Sequence, residues 1–219
     1  HSMTRTWHPH DRVKEISYRL VSWPSESGTA GEAAFADKLA DLLREIPYFR
    51  DNPDDIAILD SHSAPVARNV VAVVRGRGRR ALVLGGHFDT VETTNYLDLQ
   101  HLACRPDELR EALLADLRSR PLSAAEARAL EDLESGDFVP GRGMLDMKSG
   151  VAAGIATLER FAEMPDRQGN LVLFATPDEE RNSRGMRSLR DALPALMKHW
   201  NLDLVAGVNL DATSDQGDG

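Results

Sequence analysis

Apolar residues recur at helical spacing twice near the start of the chain. Val13, Ile16, Leu20 and Val21 mark one face of a helix over 11–21. Trp23-Pro24-Ser25 stops it, because a residue before proline is pushed out of the helical region. Ala33, Ala34, Leu39, Leu42, Leu43 and Ile46 predict a second amphipathic helix over 30–46. Pro47 and Pro53 bracket a loop. The pattern then shortens. Residues 56–59 form a strand candidate, and the valine-rich run 69–74 reads as another strand. The basic stretch 75–80 is short enough to be a tight turn and predicts a hairpin with 81–85. The run 81–84 is continuously apolar, as in a strand buried on both faces.

A long polar stretch follows, in which 106–117 and 123–133 read as two amphipathic helices. Ser123 and Glu126 fit a capping box at the second. A connection of this length with its own helices is usually a functional cover or an interface. Residues 150–161 predict a helix with a small face (Ala152, Ala153, Gly154, Ala156) suited to close packing on a sheet. Residues 171–175 form another buried strand. Residues 183–193 are helical, with Pro194 interrupting or ending the run, and 204–210 form the last strand. Strands alternating with helices imply an α/β layered sheet, where ligands collect at the carboxyl ends of strands.

Charge and composition narrow the chemistry. The chain has 219 residues, a formal net charge of −9 and 42% hydrophobic residues, which is one sizeable domain of ordinary globular composition. The negative balance argues against a nucleic-acid surface and shows no attraction to membranes. No apolar run reaches the length of a membrane span. His1-Ser2-Met3 reads as an expression scar ahead of a native Met3. Cys104 is the only cysteine, so no internal disulfide forms, a reducing cytoplasm is expected, and any metal is held by oxygen and imidazole. The four arginines of 75–80 read as a solvated turn rather than a phosphate site.

Four places carry candidate chemistry. The stretch 141–150, Gly-Arg-Gly-Met-Leu-Asp-Met-Lys-Ser-Gly, is a glycine-punctuated loop with Asp146 at the head of a helix. The bland reading of Asp146 is a capping carboxylate. His87-Phe88-Asp89, Asp178-Glu179-Glu180 and Asp211 each follow a predicted strand. Asp89 could accept the second ring N–H of His87, as carboxylates behind ligand histidines do, or cap the following turn through Thr90. Of the adjacent Glu179 and Glu180, one can serve as a ligand and the other as a base, although a solvated pair is the default for such neighbours. Two divalent ions about 3.5–4 Å apart need a shared carboxylate, and Asp146 is the best candidate for that bridge. Zinc suits these donors, and cobalt or manganese suits them too.

Three segments together give a resemblance. Gly85-Gly86-His87-Phe88-Asp89-Thr90-Val91, the loop 141–150 and Thr176-Pro177-Asp178-Glu179-Glu180 stand in the order found in a family of dinuclear zinc hydrolases. That family, metallopeptidase family twenty, includes aminoacylases, carboxypeptidase G, succinyl-diaminopimelate desuccinylase and related dipeptidases. The resemblance implies an incomplete zinc-dependent exopeptidase-like catalytic domain, a three-layer α/β sandwich around a mixed, mostly parallel sheet. It implies His87 as a zinc ligand oriented by Asp89, Asp146 as the bridge with a cis peptide to Met147, and Glu179 as the general base. Glu180 would bind the second zinc, and Asp211, where the family often carries Glu, would complete the first. The substrates implied are small peptides or N-acyl amino acids.

The helical insert, 99–134, ahead of Ser135-Gly136-Asp137-Phe138 resembles an arginine-utilisation (RocB-type) branch. The family's downstream histidine ligand and its lid and dimerisation domain have no counterpart here, and His8, His10, His62, His101 and His199 do not take the ligand's place. The chain is therefore expected to be the N-terminal portion of a longer enzyme, a homodimer in its full-length form. Two alternatives stand beside metal-assisted amide hydrolysis. One is a truncated, non-catalytic metal-binding or interaction module. The other is a two-metal phosphoesterase, disfavoured because no phosphate cradle is evident beyond the arginine turn.

Overall fold

A computed structural model describes residues 6–213; the expected scar at the start lies outside them. In chain order the elements are α1 (His10–Val21), α2 (Ala30–Arg44), α3 (Pro47–Asp51), β1 (Ile56–Asp60), β2 (Arg68–Val74) and β3 (Arg77–His87), followed by α4 (Pro106–Arg118), α5 (Ala124–Ser135), α6 (Ser149–Glu163), β4 (Gln168–Thr176), α7 (Arg184–Trp200) and β5 (Asp203–Asn209). The sheet order is β1-β2-β4-β3-β5. β2 is antiparallel to β1 and β4, while β3 is parallel to both β4 and β5. All strands except β2 therefore run the same way.

Strand alternation sends side chains to two apolar layers. Val70, Ala72 and Val74 of β2 with Leu171, Leu173 and Ala175 of β4 pack under α1, α2 and α6. Val71, Val73 and Val172 point the other way, onto Leu189, Met197 and Trp200 of α7. The result is the three-layer sandwich expected, with four of its five strands parallel to one another.

Four local expectations change. The basic stretch does not close a hairpin, because β4 lies between β2 and β3. Asn170 of β4 holds this arrangement: its Oδ1 accepts the Gly76 amide at 3.0 Å, and its Nδ2 donates to the carbonyls of Gly78 and Arg80. β4 has buried apolar side chains on both faces, so the centre of the sheet satisfies it better than an edge. The arginines are largely paired, Arg75 with Asp55, Arg77 with Asp166 and Arg79 with Asp203.

Second, β3 is not buried on both faces throughout. Ala81 is buried but Leu82 is 49% exposed, because β5 beside it is itself mostly exposed. Third, the segment between Pro47 and Pro53 is not a plain loop. Each proline opens a short helical turn, where its fixed φ and missing N–H cost nothing. Fourth, α7 continues through Pro194 to Trp200. An interior proline costs about 3 kcal/mol, and burial of Met197 and Trp200 beyond it offsets that loss.

The insert forms a helix pair with its own small core, Leu114, Leu117 and Leu133. The Ser123–Glu126 capping box is present in both directions. No helix among the described residues is long and apolar enough to cross a membrane.

Candidate metal centre

Because β4, β3 and β5 are parallel neighbours, their carboxyl ends open on one edge. His87 lies opposite Thr176 of β4, and Gly85 lies opposite Asn209 of β5. Ala81 and Val83 pack in the α7 layer, so alternation carries His87, on the same parity, to that face. The segment Asp178-Glu179-Glu180 leaves β4 on one side of it, and Asp211 follows β5 on the other.

Asp146 arrives from the turn Met144–Lys148. Its backbone is not helical (φ −119°, ψ 93°), and its peptide to Met147 is cis, as the resemblance implied. It is not a helix cap: α6 begins at Ser149 with no side-chain cap at its start. Gly143 makes the turn possible. Its φ is +81°, and a Cβ there would stand 2.7 Å from Thr90 Cγ2.

The expected residues meet. Ligand atoms of His87, Asp146 and Glu180 lie within 4.8 Å of one another. His87 Nε2 is 3.1 Å from Asp146 Oδ1, 3.6 Å from Asp211 Oδ2 and 3.7 Å from Glu179 Oε2. The other ring nitrogen, Nδ1, lies 2.9 Å from the Asp89 carbonyl oxygen and 3.4 Å from its carboxylate. Both contacts suit a proton on Nδ1, leaving Nε2 to face the carboxylates.

Asp89 is fully buried and does more than stand behind the histidine. Its carboxylate accepts the amides of Glu179 and Glu180 at 3.0 Å each and the Ser27 hydroxyl at 2.5 Å. It thereby fixes the backbone that presents both glutamates. Glu32 extends this support, with one oxygen accepting the Gly28 amide at 3.0 Å and the other the Asp178 amide at 2.9 Å. Asp178 has a left-handed backbone (φ 64°), and its carboxylate accepts the Arg184 amide at the start of α7.

Ser27 and Glu32 were not singled out from the sequence, and Asp178 stood in a candidate segment with no role of its own. For Glu32 a signal existed. Thr29-Ala30-Gly31-Glu32 has the spacing of a capping box, and Thr29 does cap α2, but the glutamate reaches back to Gly28 and across to the loop. Ser27 carried no comparable local signal.

The electrostatics favour a cation. Burial raises the pKa of Glu180, and the Asp146 charge adds to it, pushing the carboxyl up to about 7. Burial works against a charged His87, but Asp89, Glu179 and Asp211 outweigh it and push the ring up to about 9. Burial likewise opposes ionised Asp89, yet His87, Ser27 and the two amides hold it below the usual carboxylate range. Three carboxylates crowding one imidazole repel one another, and a divalent cation relieves that repulsion directly. The donors are oxygen and imidazole, the set zinc accepts. The residues present fit a metal.

Behind the turn, Lys148 is fully buried. Its ammonium donates to the Trp23 carbonyl at 2.8 Å and lies 4.9 Å from the centre of the Phe35 ring. Burial pulls its pKa down from 10.5 to about 7. Below about pH 7 the native state bears the whole cost of the buried charge. Between about 7 and 10.5 the unfolded chain holds the extra proton, so the contribution of this group to stability rises with pH. Metal-free protein is expected to gain stability relative to Lys148→Met across that window, by on the order of a few kcal/mol at its upper end. Urea unfolding at several pH values checks this, and a pH-independent difference would refute it.

Comparison with known proteins places this site in a family. The model of peptidase family M20/M25/M40 matches residues 83–219, which include all six candidate site residues. The chain belongs to peptidase family M20/M25/M40. It is 35% identical to YqjN of Bacillus subtilis (strain 168) over 207 residues, 94% of this chain and 36% of that protein. It is 31% identical to RocB of the same organism over 215 residues, 96% of this chain and 37% of that protein. The chain thus spans little more than a third of the length of these relatives. Human carnosine dipeptidase 1 shares the fold at a TM-score of 0.60 and 13% identity, over 90% of this chain and 38% of that one. A Staphylococcus aureus tripeptidase does so at 0.56 and 18%, over 94% and 44%.

Proposed function

We propose that this chain carries the metal-binding and general-base part of an amide hydrolase acting on small peptides or N-acyl amino acids. One observation carries the reading: His87, Asp146 and Glu180 converge within 4.8 Å at the ends of parallel strands, with Glu179 and Asp211 beside them. His87 and Asp211 would hold one zinc ion, Glu180 a second, and Asp146 both; cobalt or manganese would suit the same donors. Bound there, the metal supplies Lewis-acid polarisation of a carbonyl and acidifies water. The chain's own residues do the rest. Glu179 takes a proton from the attacking water and returns it to the leaving nitrogen. Asp89 fixes the tautomer of His87 and the backbone that presents Glu179 and Glu180.

The match to RocB and the insert ahead of Ser135 support a place in arginine utilisation, and the single cysteine supports the cytoplasm. The short span against its relatives supports a longer parent, with lid and dimerisation domain supplied elsewhere in it. The test is metal content after dialysis against zinc, with hydrolysis of dipeptides and N-acyl amino acids by this chain and by the longer parent. Bound zinc and parent activity lost to a chelator are expected. A zinc-loaded parent that cleaves no amide leaves the alternative of a non-catalytic metal-binding module, and phosphatase activity without amidase activity would favour a phosphoesterase.

A further inference from the structure

Beneath the ligand set, on the α7 face of the sheet, lies a cleft of about 420 Å3. Val83 of β3, Phe174 of β4, Met186 of α7, Val208 of β5 and Met147 form its walls. Phe174 can lie across β3 only because residue 85 is glycine, since a Cβ there would fall 2.0 Å from the ring. His87, Glu179 and Asp211 line the same cleft and supply its charged groups. Among the described residues no lysine or arginine lines it.

These walls discriminate between substrate groups. A substrate carboxylate seated among Val83, Phe174 and Met186 would lose hydration with no lysine or arginine among those walls to compensate. An alkyl or aromatic group would gain from leaving water. The volume falls within the range of small-molecule sites, about 300–1,000 Å3.

We propose that this cleft is the specificity pocket of the amide hydrolase and takes an uncharged, apolar side chain or acyl group of the substrate. The carbonyl under attack then lies at the His87–Glu179–Asp211 end. The inference rests on the amide-hydrolase reading above.

Binding of alkyl hydroxamates to the zinc-loaded chain, measured by calorimetry, tests it without turnover. Butyrohydroxamate is expected to bind about fifteenfold more tightly than acetohydroxamate, from roughly fourfold per buried methylene. The carboxylate-bearing succinyl hydroxamate is expected to bind no better than acetohydroxamate. Met186 is 45% exposed, so Met186→Lys puts a cation on the wall without opening the core. That variant should reduce the butyro-to-aceto ratio below about threefold and reverse the order of butyro- and succinyl hydroxamate. A ratio near one in the unmodified chain, or a ratio that Met186→Lys leaves unchanged, would overturn the pocket assignment while leaving the metal reading intact. Failure of the chain to bind zinc or acetohydroxamate at all would overturn both.

Discussion

In the amide hydrolase proposed above, Glu179→Gln is expected to lower turnover about 10²–10⁴-fold, the usual contribution of a positioned general base. Zinc content should stay at the level of the unmodified protein. The geometry separates the two properties. The Glu179 side chain is 44% exposed and reaches to 3.7 Å from His87 Nε2, so it faces both solvent and the site. The donors proposed for the metal that lie within 4.8 Å of one another are His87, Asp146 and Glu180. Glutamine keeps the shape and the backbone hydrogen bond to Asp89 but cannot accept a proton. Glu180→Gln provides the contrast, since it should lose metal along with activity. An enzyme that keeps its rate with glutamine at 179, as judged by initial velocities on N-acyl amino acids at equal zinc occupancy, would dismiss this residue as the base.

The second large effect is expected at Asp89. Its buried carboxylate is tied to the Ser27 hydroxyl and the amides of Glu179 and Glu180 and stands 3.4 Å from His87 Nδ1. Asp89→Ala leaves the amides of Glu179 and Glu180 without their acceptor, takes the shorter of its two acceptors from the Ser27 hydroxyl, and removes the charge behind the histidine. Stability should fall by about 3–5 kcal/mol, the usual cost of breaking a buried charged pair. Zinc affinity should fall roughly 10–100-fold, as it does when support behind a ligand histidine is lost. Thermal unfolding of metal-free protein measures the first and competition with a chromophoric chelator the second. If alanine prevents folding, Asp89→Asn gives the affinity measurement, because its amide preserves the volume but presents donors on one side. Unchanged melting and unchanged affinity in the asparagine variant would show that the carboxylate is dispensable.

The two predictions differ in how much of their basis the sequence exposed. Glu179 was legible because a buried apolar run ends just before it, and strand ends in α/β sheets point to ligand sites. The further job of Asp89, gripping the glutamate backbone, was not legible. Glu179 and Glu180 are far from Asp89 in sequence, and no local pattern records a hydrogen bond made across two loops. The same holds for Glu32, whose capping-box spacing was visible while its reach to Asp178 was not.

Local periodicity by itself determined most of the elements. The 3.6-residue spacing in α1, α2 and α6 and the short apolar runs of β2 and β4 reflect which faces leave water, a property of neighbouring residues. It also determined that histidine and carboxylates stand where strands end. Only the tertiary structure decided which strands are neighbours, placing β4 between β2 and β3 through Asn170 and burial on both faces. It alone carried α7 through Pro194, where packing of Trp200 outweighs a local rule, and it alone opened an apolar cleft beneath the carboxylates. The reason is the same in each case: propensity and spacing are summed over a few adjacent residues, whereas pairing, burial and electrostatic crowding depend on groups that the chain brings together only when folded.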